Sequence, residues 1–238
     1  MIVRLYIKEQ LLAMGQNLIL DAKQSHYLGN VLRLKERDFF YVFDGLNGEY
    51  KAQIIHLNKQ NVEIELVEKT REMTNAPDVW LLFAPLKKDK TDIVIQKATE
   101  LGVQCIIPVR TAYTNTETVR LERFETQAIE AAEQCRRLDV PTIFPIVSME
   151  KVLKDWDTQR TLFFLNERGN GEHILKAMEC EKKTAILVGP EGGFSPEEVD
   201  KLSSLSFVKN ISLGQRILRA ETAVISALSC WQAVNGDW

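Results

Sequence analysis

Two short apolar runs near the C-terminal end of the chain each stop at a glycine, and they constrain the fold more than any other feature. The run 186–188 leads into Gly189-Pro-Glu-Gly-Gly193, and the run 211–213 leads into Gly214. Such runs indicate buried strands followed by tight turns, because glycine accepts positive φ and lets the backbone approach a ligand closely. In open α/β sheets, ligands bind outside the carboxyl ends of strands. Together the loops predict a binding site, although either loop alone is equally consistent with an ordinary turn.

Composition and charge restrict the class of protein. Of the 238 residues, 45% are apolar and 26% are charged, which is typical of a globular protein with one large or two small domains. No apolar run approaches the roughly 20 residues needed to span a bilayer, and the N-terminus lacks signal-peptide features, so we expect a cytoplasmic protein with no membrane partner. The net charge of −3 and pI near 5.8 predict that any RNA binding depends on local patches.

The cysteines and histidines are scattered along the chain. Cys105, Cys135, Cys180 and Cys230 form no CxxC pair, and the three histidines are equally dispersed. We therefore expect no metal site and no disulfide framework. The cysteines are interpreted as small buried thiols.

The first part of the chain is dominated by short β-like segments. A helix at 25–33, capped by Ser25, is expected to interrupt them, and the polar segment 71–78 is predicted to be a linker. Five short strands within residues 1–70 predict a small barrel. The candidate strands are 2–7, 17–20, 39–43, 52–56 and 62–67.

From residue 79 onwards, strands alternate with helices. Apolar runs at 79–84 and 105–109 predict buried strands, with a helix expected at 91–101 between them. This alternation predicts an α/β domain over residues 79–238 with a parallel sheet and helices on both of its faces. A long amphipathic helix is expected along 124–138.

Local signals near the C-terminus fix the ends of two further helices. Ser195-Pro-Glu-Glu198 predicts a capping box directly after the first glycine-rich loop, with Phe194 and Val199 as a hydrophobic staple. The last helix carries an apolar stripe rich in alanine, which suits either packing within the chain or a dimer interface. The stripe comprises Ala220, Ala223, Val224, Ala227, Leu228 and Trp231.

Four blocks of the sequence match a known family in the order 100–103, 130–136, Gly189-Pro-Glu-Gly-Gly-Phe194 and Leu213-Gly-Gln-Arg-Ile-Leu-Arg-Ala-Glu-Thr222. The chain resembles the RsmE-type family of the SPOUT methyltransferase superfamily, which methylates N3 of a uridine in small-subunit (16S) ribosomal RNA. The resemblance implies a C-terminal α/β domain tied in a trefoil knot, preceded by a PUA-like β-barrel that binds RNA. It also implies a homodimer that acts on 16S ribosomal RNA or the small ribosomal subunit, with S-adenosylmethionine as cofactor.

By this resemblance, three strand-end loops hold the cofactor. Adenine needs an apolar slot and backbone hydrogen-bonding partners, which leucines, an isoleucine and glycines in these loops can supply. A branched side chain at Gly192 is expected to occupy space that the ligand needs. The residues expected to bind the cofactor are Leu165, Glu167, Gly189, Pro190, Glu191, Gly192, Gly193, Leu213, Gly214, Ile217, Leu218 and Thr222.

Arg219 and Glu221 are the catalytic candidates. Methylation of uridine N3 requires loss of its proton, so the site should stabilise a developing negative charge, the role expected of Arg219. Glu221 could orient Arg219 or accept a proton. Alternatively, the two residues form a structural ion pair in which the carboxylate also favours the helix start. The sequence identifies no general base.

The residues expected to contact RNA occupy three places. Arg33 is the last residue of the first predicted helix, Lys87 and Lys88 lie in a loop after a strand, and Gln134, Arg136 and Arg137 lie on the long helix. Each position is also consistent with a solvated surface. The segment 110–115 lies where the family usually shows Glu-Arg-Ser, so roles of that motif are not transferred to it.

Two other functions remain alternatives. Another SPOUT reaction, such as 2′-O-methylation of a tRNA ribose, is disfavoured by the N-terminal barrel and by the block 130–136. A catalytically silent RNA-binding protein of ribosome assembly would need stronger phosphate contacts than the net charge suggests. Binding of S-adenosylmethionine would distinguish the enzyme from the silent binder.

Overall fold

The chain folds into two compact units. The computed structural model describes residues 3–8, 10–58, 61–166, 171–179 and 183–238. The first unit comprises Met1–Asn75 and Ala132–Val140, and the second comprises Ala76–Ala131 and Pro141–Trp238. The segment 132–140 therefore belongs to the first unit, although the domain predicted from the sequence comprised residues 1–70 only.

The first unit is built on a curled five-stranded sheet in the order β1-β3-β4-β5-β2. All neighbouring strands are antiparallel except β1 and β3. Val62, Ile64 and Leu66 alternate with more exposed residues along β5, so one face of the strand enters the core. The strands are β1 Arg4–Tyr6, β2 Asn17–Ile19, β3 Phe39–Phe43, β4 Glu49–Leu57 and β5 Val62–Arg71. Strand β5 thus continues past its predicted end and takes in the first residue of the predicted linker.

The prediction that Ser25 caps the first helix is wrong. Helix α1, Ala22–His26, begins after Asp21, whose carboxylate accepts from the Gln24 amide at 2.7 Å. Aspartate caps helices as well as serine does, so the two signals compete in this sequence. Ser25 is instead buried: its hydroxyl donates to the Leu20 carbonyl at 3.2 Å and accepts from the Val62 amide at 3.0 Å.

A π-helical turn, Tyr27–Val31, continues directly from α1. Such turns are rare and often occur at functional sites. It is followed by Arg33, whose φ of 56° lies in the left-handed region.

The second unit contains a sheet in which every neighbouring pair of strands is parallel, as predicted. Its order is β11-β13-β10-β12-β6-β7-β8, with β9 paired to β7. The strands are β6 Val79–Phe83, β7 Cys105–Arg110, β8 Thr142–Ile143, β9 Val147–Ser148, β10 Thr161–Leu165, β11 Glu172–His173, β12 Thr184–Val188 and β13 Val208–Ser212. The remaining helices are α2 Lys88–Glu100, α3 Leu121–Cys135, α4 Met149–Lys154, α5 Ile174–Ala177, α6 Pro196–Ser203 and α7 Ala220–Asn235.

Strand β13 is inserted between β10 and β11. Leu165 of β10 and Glu172 of β11 both pair with Ile211, one from each side. Gly171 lies so close that an added Cβ would be 2.5 Å from the Ile211 carbonyl carbon. The trefoil knot that the resemblance implies stays a prediction.

Helix α3 ends earlier than its apolar periodicity predicts. It stops at Cys135, because Arg136 adopts a φ of 66°, which is incompatible with a continuing right-handed helix. Arg4 provides hydrogen-bond donors for carbonyl groups at this end of the helix. Its guanidinium donates to the backbone carbonyl of Ala132 at 3.2 Å and to that of Arg137 at 2.9 Å. Leu138 is buried in the first unit, as part of the connection after the helix.

The apolar stripe of α7 is buried within its own unit. All six stripe residues are at most 9% exposed, and α7 packs against α2, α5 and β12. Within one chain this packing already accounts for the stripe. The homodimer stays a prediction.

The cysteines are less buried than expected. Cys105 and Cys135 lie at the start of β7 and the end of α3, and Cys230 lies beside the buried stripe of α7; all three are only half-buried. Cys180 lies outside the described residues. Over the described part of the chain, no group of histidine, cysteine or acidic side chains could hold a metal ion, and no helix is long and apolar enough to cross a membrane.

Candidate functional site

A cavity of about 260 Å³ lies in the second unit where β10, β12 and β13 end. The pairing of the strands explains its position, because Phe164 aligns with Leu187 and Leu165 with Ile211, so the three carboxyl ends meet at one edge. Nine of the residues expected to bind a cofactor line this cavity, together with Arg219. The nine are Leu165, Gly189, Pro190, Glu191, Gly193, Leu213, Gly214, Ile217 and Leu218.

Phe194 anchors the first glycine-rich loop. A Cβ on Gly189 would lie 2.6 Å from the Phe194 ring, so only glycine lets the loop fold back over this residue. The ring is buried and meets Phe164 edge-to-face at 4.8 Å. Gly193 completes the turn with a φ of 71° and an amide that donates to the Pro190 carbonyl at 3.0 Å.

The predicted capping box fixes the far end of this loop. The Glu198 amide donates to Ser195 Oγ at 3.2 Å, and the Ser195 amide donates to Glu198 Oε2 at 2.9 Å. Phe194 and Val199 pack into the same apolar cluster, as the staple predicts. The loop is therefore held at both ends by local interactions.

The second loop is open on its ligand side. Gly214 has a φ of 105°, and a Cβ added there would find no atom within 4 Å. Its amide donates to Ser212 Oγ at 3.2 Å. Ile217 lines the cavity although 80% of its surface is exposed, which leaves an apolar wall that a ligand can cover.

Charged side chains stand around the cavity. Arg216 and Arg219 line it and are exposed, and Arg219 is the N-cap residue of α7 without a capping bond from its side chain. Glu191 forms an ion pair with Lys90, with Nζ and Oε1 3.1 Å apart. Partial burial alone would raise the pKa of Glu191, but hydrogen bonds from its own backbone amide and from Lys90 lower it below its usual range.

The sequence analysis missed eight residues that line the cavity. Three of them fall inside matched blocks and four lie within two residues of one, so extending each block by two residues would have found all but Asn166, which follows Leu165. Two alanines on the first turn of α7 leave room in the cavity. The eight are Asn166, Val188, Phe194, Ile211, Ser212, Arg216, Ala220 and Ala223.

Three predicted residues do not line the cavity. Gly192 is one of them: an added Cβ would lie 3.3 Å from Tyr113 Cβ, so a branched side chain would press on Tyr113 first. Thr222 is exposed on α7. Glu221 is half-buried, and its Oε2 is buried with no hydrogen-bond partner. Glu167 lies outside the described residues.

Arg219 and Glu221 do not form the structural ion pair that was the alternative to a catalytic role. Among the described residues, neither side chain has a hydrogen bond or salt bridge to the other. The two residues occupy the N-cap and the first turn of α7, where an anionic group is favoured by the helix dipole. This arrangement leaves the Arg219 guanidinium available to a ligand.

The residues expected to contact RNA differ in how available they are. Arg33, Gln134 and Arg136 are exposed in the first unit, and Lys87 is exposed in the second. Arg137 is held by Asp139 in a two-pronged ion pair, with bonds of 2.9 and 3.0 Å, and its side chain is only 9% exposed. The side chain of Lys88 is not described.

Comparisons with known proteins agree with this geometry. A family model for an RNA methyltransferase domain matches residues 74–232, and one for an RNA methyltransferase PUA domain matches residues 20–67. The chain is 34% identical over 229 residues to ribosomal RNA small subunit methyltransferase E of Rickettsia conorii, covering 95% of this chain and 93% of the relative. It is 30% identical over 225 residues to the Bacillus subtilis protein of the same name, covering 88% and 87%.

Two solved structures have the same fold over their whole length. Ribosomal RNA small subunit methyltransferase E of Neisseria gonorrhoeae, bound to S-adenosyl methionine, superposes with a TM-score of 0.92 at 27% identity. A methyltransferase from Legionella pneumophila in complex with the same cofactor gives 0.91 at 28% identity. Each alignment covers 100% of both chains. On the matched domain and the near-complete alignment to these relatives, the chain belongs to the ribosomal RNA small subunit methyltransferase E family, the RsmE-type RNA methyltransferases.

Proposed function

We propose that this chain transfers a methyl group from S-adenosylmethionine to N3 of a uridine in 16S ribosomal RNA. The observation that carries the proposal is the cavity at the carboxyl ends of three parallel strands, which both glycine-rich loops and Arg219 line. Family membership supports the substrate, since the relatives named above carry ribosomal RNA methyltransferase in their names.

The residues of the cavity fit the cofactor. Leu165, Leu213 and Leu218 offer an apolar wall for adenine, while the glycine-rich loops expose backbone N–H and C=O groups. The open space beside Gly214, where an added Cβ would meet nothing within 4 Å, gives the ligand access to the backbone. When bound, S-adenosylmethionine supplies an electrophilic methyl group on its sulfonium.

In this proposal, Arg219 stabilises the acceptor. The uridine must lose its N3 proton, and the negative charge that develops on the base is stabilised by a guanidinium and by the positive end of α7. Glu221 stays a candidate for orienting a bound group or accepting a proton, because its buried Oε2 has no partner among the described residues. Holding donor and acceptor in line accounts for a large part of the acceleration in such a transfer.

The remaining parts of the proposal concern the RNA and the assembly. Arg33, Lys87, Lys88, Gln134 and Arg136 contact the RNA backbone, whereas the Arg137 guanidinium is engaged by Asp139 and serves mainly to hold the chain after α3. The enzyme works in the cytoplasm as a homodimer with a knotted second unit. The statements on assembly, location and knot rest on the family, and the RNA contacts rest on the family and on the exposure of Arg33, Lys87, Gln134 and Arg136.

The deciding experiment measures methyl transfer from labelled S-adenosylmethionine to small ribosomal subunits that lack the modification. Nucleoside analysis should recover the label in 3-methyluridine. Label in a ribose-methylated nucleoside would assign the chain to a different SPOUT reaction. An absence of cofactor binding would favour a catalytically silent RNA binder.

Replacing Gly214 with valine should weaken S-adenosylmethionine binding about tenfold or more. A branched residue at a φ of 105° is strained, by on the order of 1–3 kcal/mol, so the loop would leave the conformation that lines the cavity. Isothermal calorimetry measures the affinity.

Gly15→Val provides the matched control for this substitution. Gly15 also has a positive φ, 73°, and an added Cβ there also meets nothing within 4 Å, but it belongs to the first unit and does not line the cavity. It should lose stability and keep its cofactor affinity. Equal affinity losses in both variants would show that Gly214 acts through general stability.

A further inference from the structure

We propose that Tyr113 is the residue on which the target uridine stacks during methyl transfer, an inference that rests on the proposed function. Tyr113 lies in the segment 110–115, which follows strand β7. Because β7, β6 and β12 are parallel neighbours, this segment leaves the sheet at the same edge as the first glycine-rich loop. The family motif usually found here is missing, so the resemblance assigns Tyr113 no role.

The backbone around Tyr113 is tied down on both sides. Thr111 and Thr114 close a turn through an amide-to-hydroxyl bond of 2.9 Å and an amide-to-carbonyl bond of 3.1 Å. The Ala112 amide donates to Glu198 Oε1 at 2.8 Å. The other oxygen of the same carboxylate accepts the Ser195 amide of the capping box. Glu198 therefore joins the turn to the helix start that holds the glycine-rich loop.

Tyr113 lies directly against this loop. The position that a Gly192 Cβ would take is 3.3 Å from Tyr113 Cβ and 3.7 Å from its Cγ. The neighbours of Gly192 on both sides, Glu191 and Gly193, line the cavity. The absence of a side chain at position 192 thus lets an aromatic ring pack against the loop that lines the proposed cofactor site.

The ring has no structural partner that accounts for its placement. Tyr113 is 48% exposed, and within the described chain it takes part in no ring stacking and its hydroxyl makes no hydrogen bond. Exposed aromatic side chains beside a site that acts on a nucleobase are suited to stacking, because every base has a π-face. Enzymes that modify a base also hold it out of its stack in the same way.

Stacking and simple packing against Gly192 make different predictions for three variants. Y113A and Y113L should lower kcat/KM for the small ribosomal subunit about 5- to 100-fold, since stacking on an aromatic residue contributes that much to base binding. Y113F keeps the ring and should stay close to the unmodified enzyme. The affinity for S-adenosylmethionine should be the same in all three, because Tyr113 does not line the cavity. A Y113L enzyme as active as Y113F would overturn the proposal, since leucine fills the same space without a π-face.

A photocrosslink gives a readout that does not depend on turnover. RNA carrying 5-iodouridine at the target position should crosslink to Tyr113 in the full-length protein with cofactor, as mapped by mass spectrometry. The crosslink should persist in Y113F and disappear in Y113L. A crosslink mapped to another residue would overturn the proposal. The proposal would also be overturned if the unmodified protein gave no crosslink at Tyr113 and the oligomeric state of Y113A changed in sedimentation. That result would place the ring in a subunit interface. If the unmodified enzyme forms no 3-methyluridine, the proposed function fails, while the crosslink still decides where the base stacks.

Discussion

Arg219→Ala should reduce the rate of methyl transfer about 100- to 1,000-fold while changing the affinity for S-adenosylmethionine far less. Removing one preorganised group that stabilises transition-state charge typically has an effect of this size. Arg219 lines the cavity, and no side chain among the described residues forms an ion pair with its guanidinium. Under the proposed function, its charge is therefore available to the deprotonated base.

The fold should survive this substitution. The N-cap position of α7 is occupied by the Arg219 backbone, and its side chain makes no capping hydrogen bond. The melting temperature of Arg219→Ala should therefore match that of the unmodified protein. Single-turnover rates with saturating cofactor measure the chemical step, and calorimetry measures cofactor binding.

Arg216→Ala is the matched control. Arg216 lines the same cavity and carries the same charge, but it lies in the loop before α7 and not at the N-terminus of the helix. It should weaken cofactor or RNA binding more than it slows the chemical step. If both substitutions lower the rate of the chemical step by the same factor at saturating cofactor, the effect comes from the total charge of the cavity and Arg219 has no special role.

Glu49→Ala should lower the free energy of unfolding by about 3–5 kcal/mol, because it leaves a buried guanidinium without its counter-ion. Arg4 Nε and Glu49 Oε2 are 2.7 Å apart, and the two side chains are only 3% and 8% exposed. Burial lowers the pKa of Arg4, and Glu49 opposes that shift. The Thr70 hydroxyl also donates to Glu49 Oε1 at 2.9 Å, and this bond is lost as well.

Glu72→Ala tests whether burial is the cause. Glu72 pairs with Lys69, but the Glu72 side chain is 82% exposed, and such surface pairs contribute at most about 1 kcal/mol. Urea-induced unfolding of the two variants measures the difference. Equal losses of stability would show that the Arg4–Glu49 pair is no more important than a surface ion pair.

This pair also concerns the proposed RNA contacts. Arg4 donates to carbonyl groups at the end of α3, in the part of the chain that carries Gln134 and Arg136. Loss of Glu49 would release the residue that holds this helix end. RNA affinity should therefore fall along with stability in Glu49→Ala, and remain unchanged in Glu72→Ala.

The sequence by itself determined the features that depend on neighbouring residues. The capping box at Ser195 and Glu198 and the stop of α2 before Gly102 are set by side chains and dihedral angles within a few positions. The parallel α/β sheet follows from apolar runs that alternate with amphipathic helices, and the family follows from four ordered blocks. The convergence of the 189–193 loop with Gly214 could also be predicted, because carboxyl ends of parallel strands share one edge.

Only the tertiary structure decided which side chains meet across the chain. Ser25 and Asp21 are both suitable N-cap residues. In the structure the Ser25 hydroxyl accepts from the Val62 amide, and the Asp21 carboxylate caps the helix. Gly192 and Gly193 are adjacent, yet one faces Tyr113 and the other the cavity. Periodicity specifies which face of an element is apolar, but the partner of each side chain depends on the packing of segments far apart in sequence. For this reason the ion pair of Arg137, the buried Arg4 and the place of Tyr113 could not be predicted from the sequence.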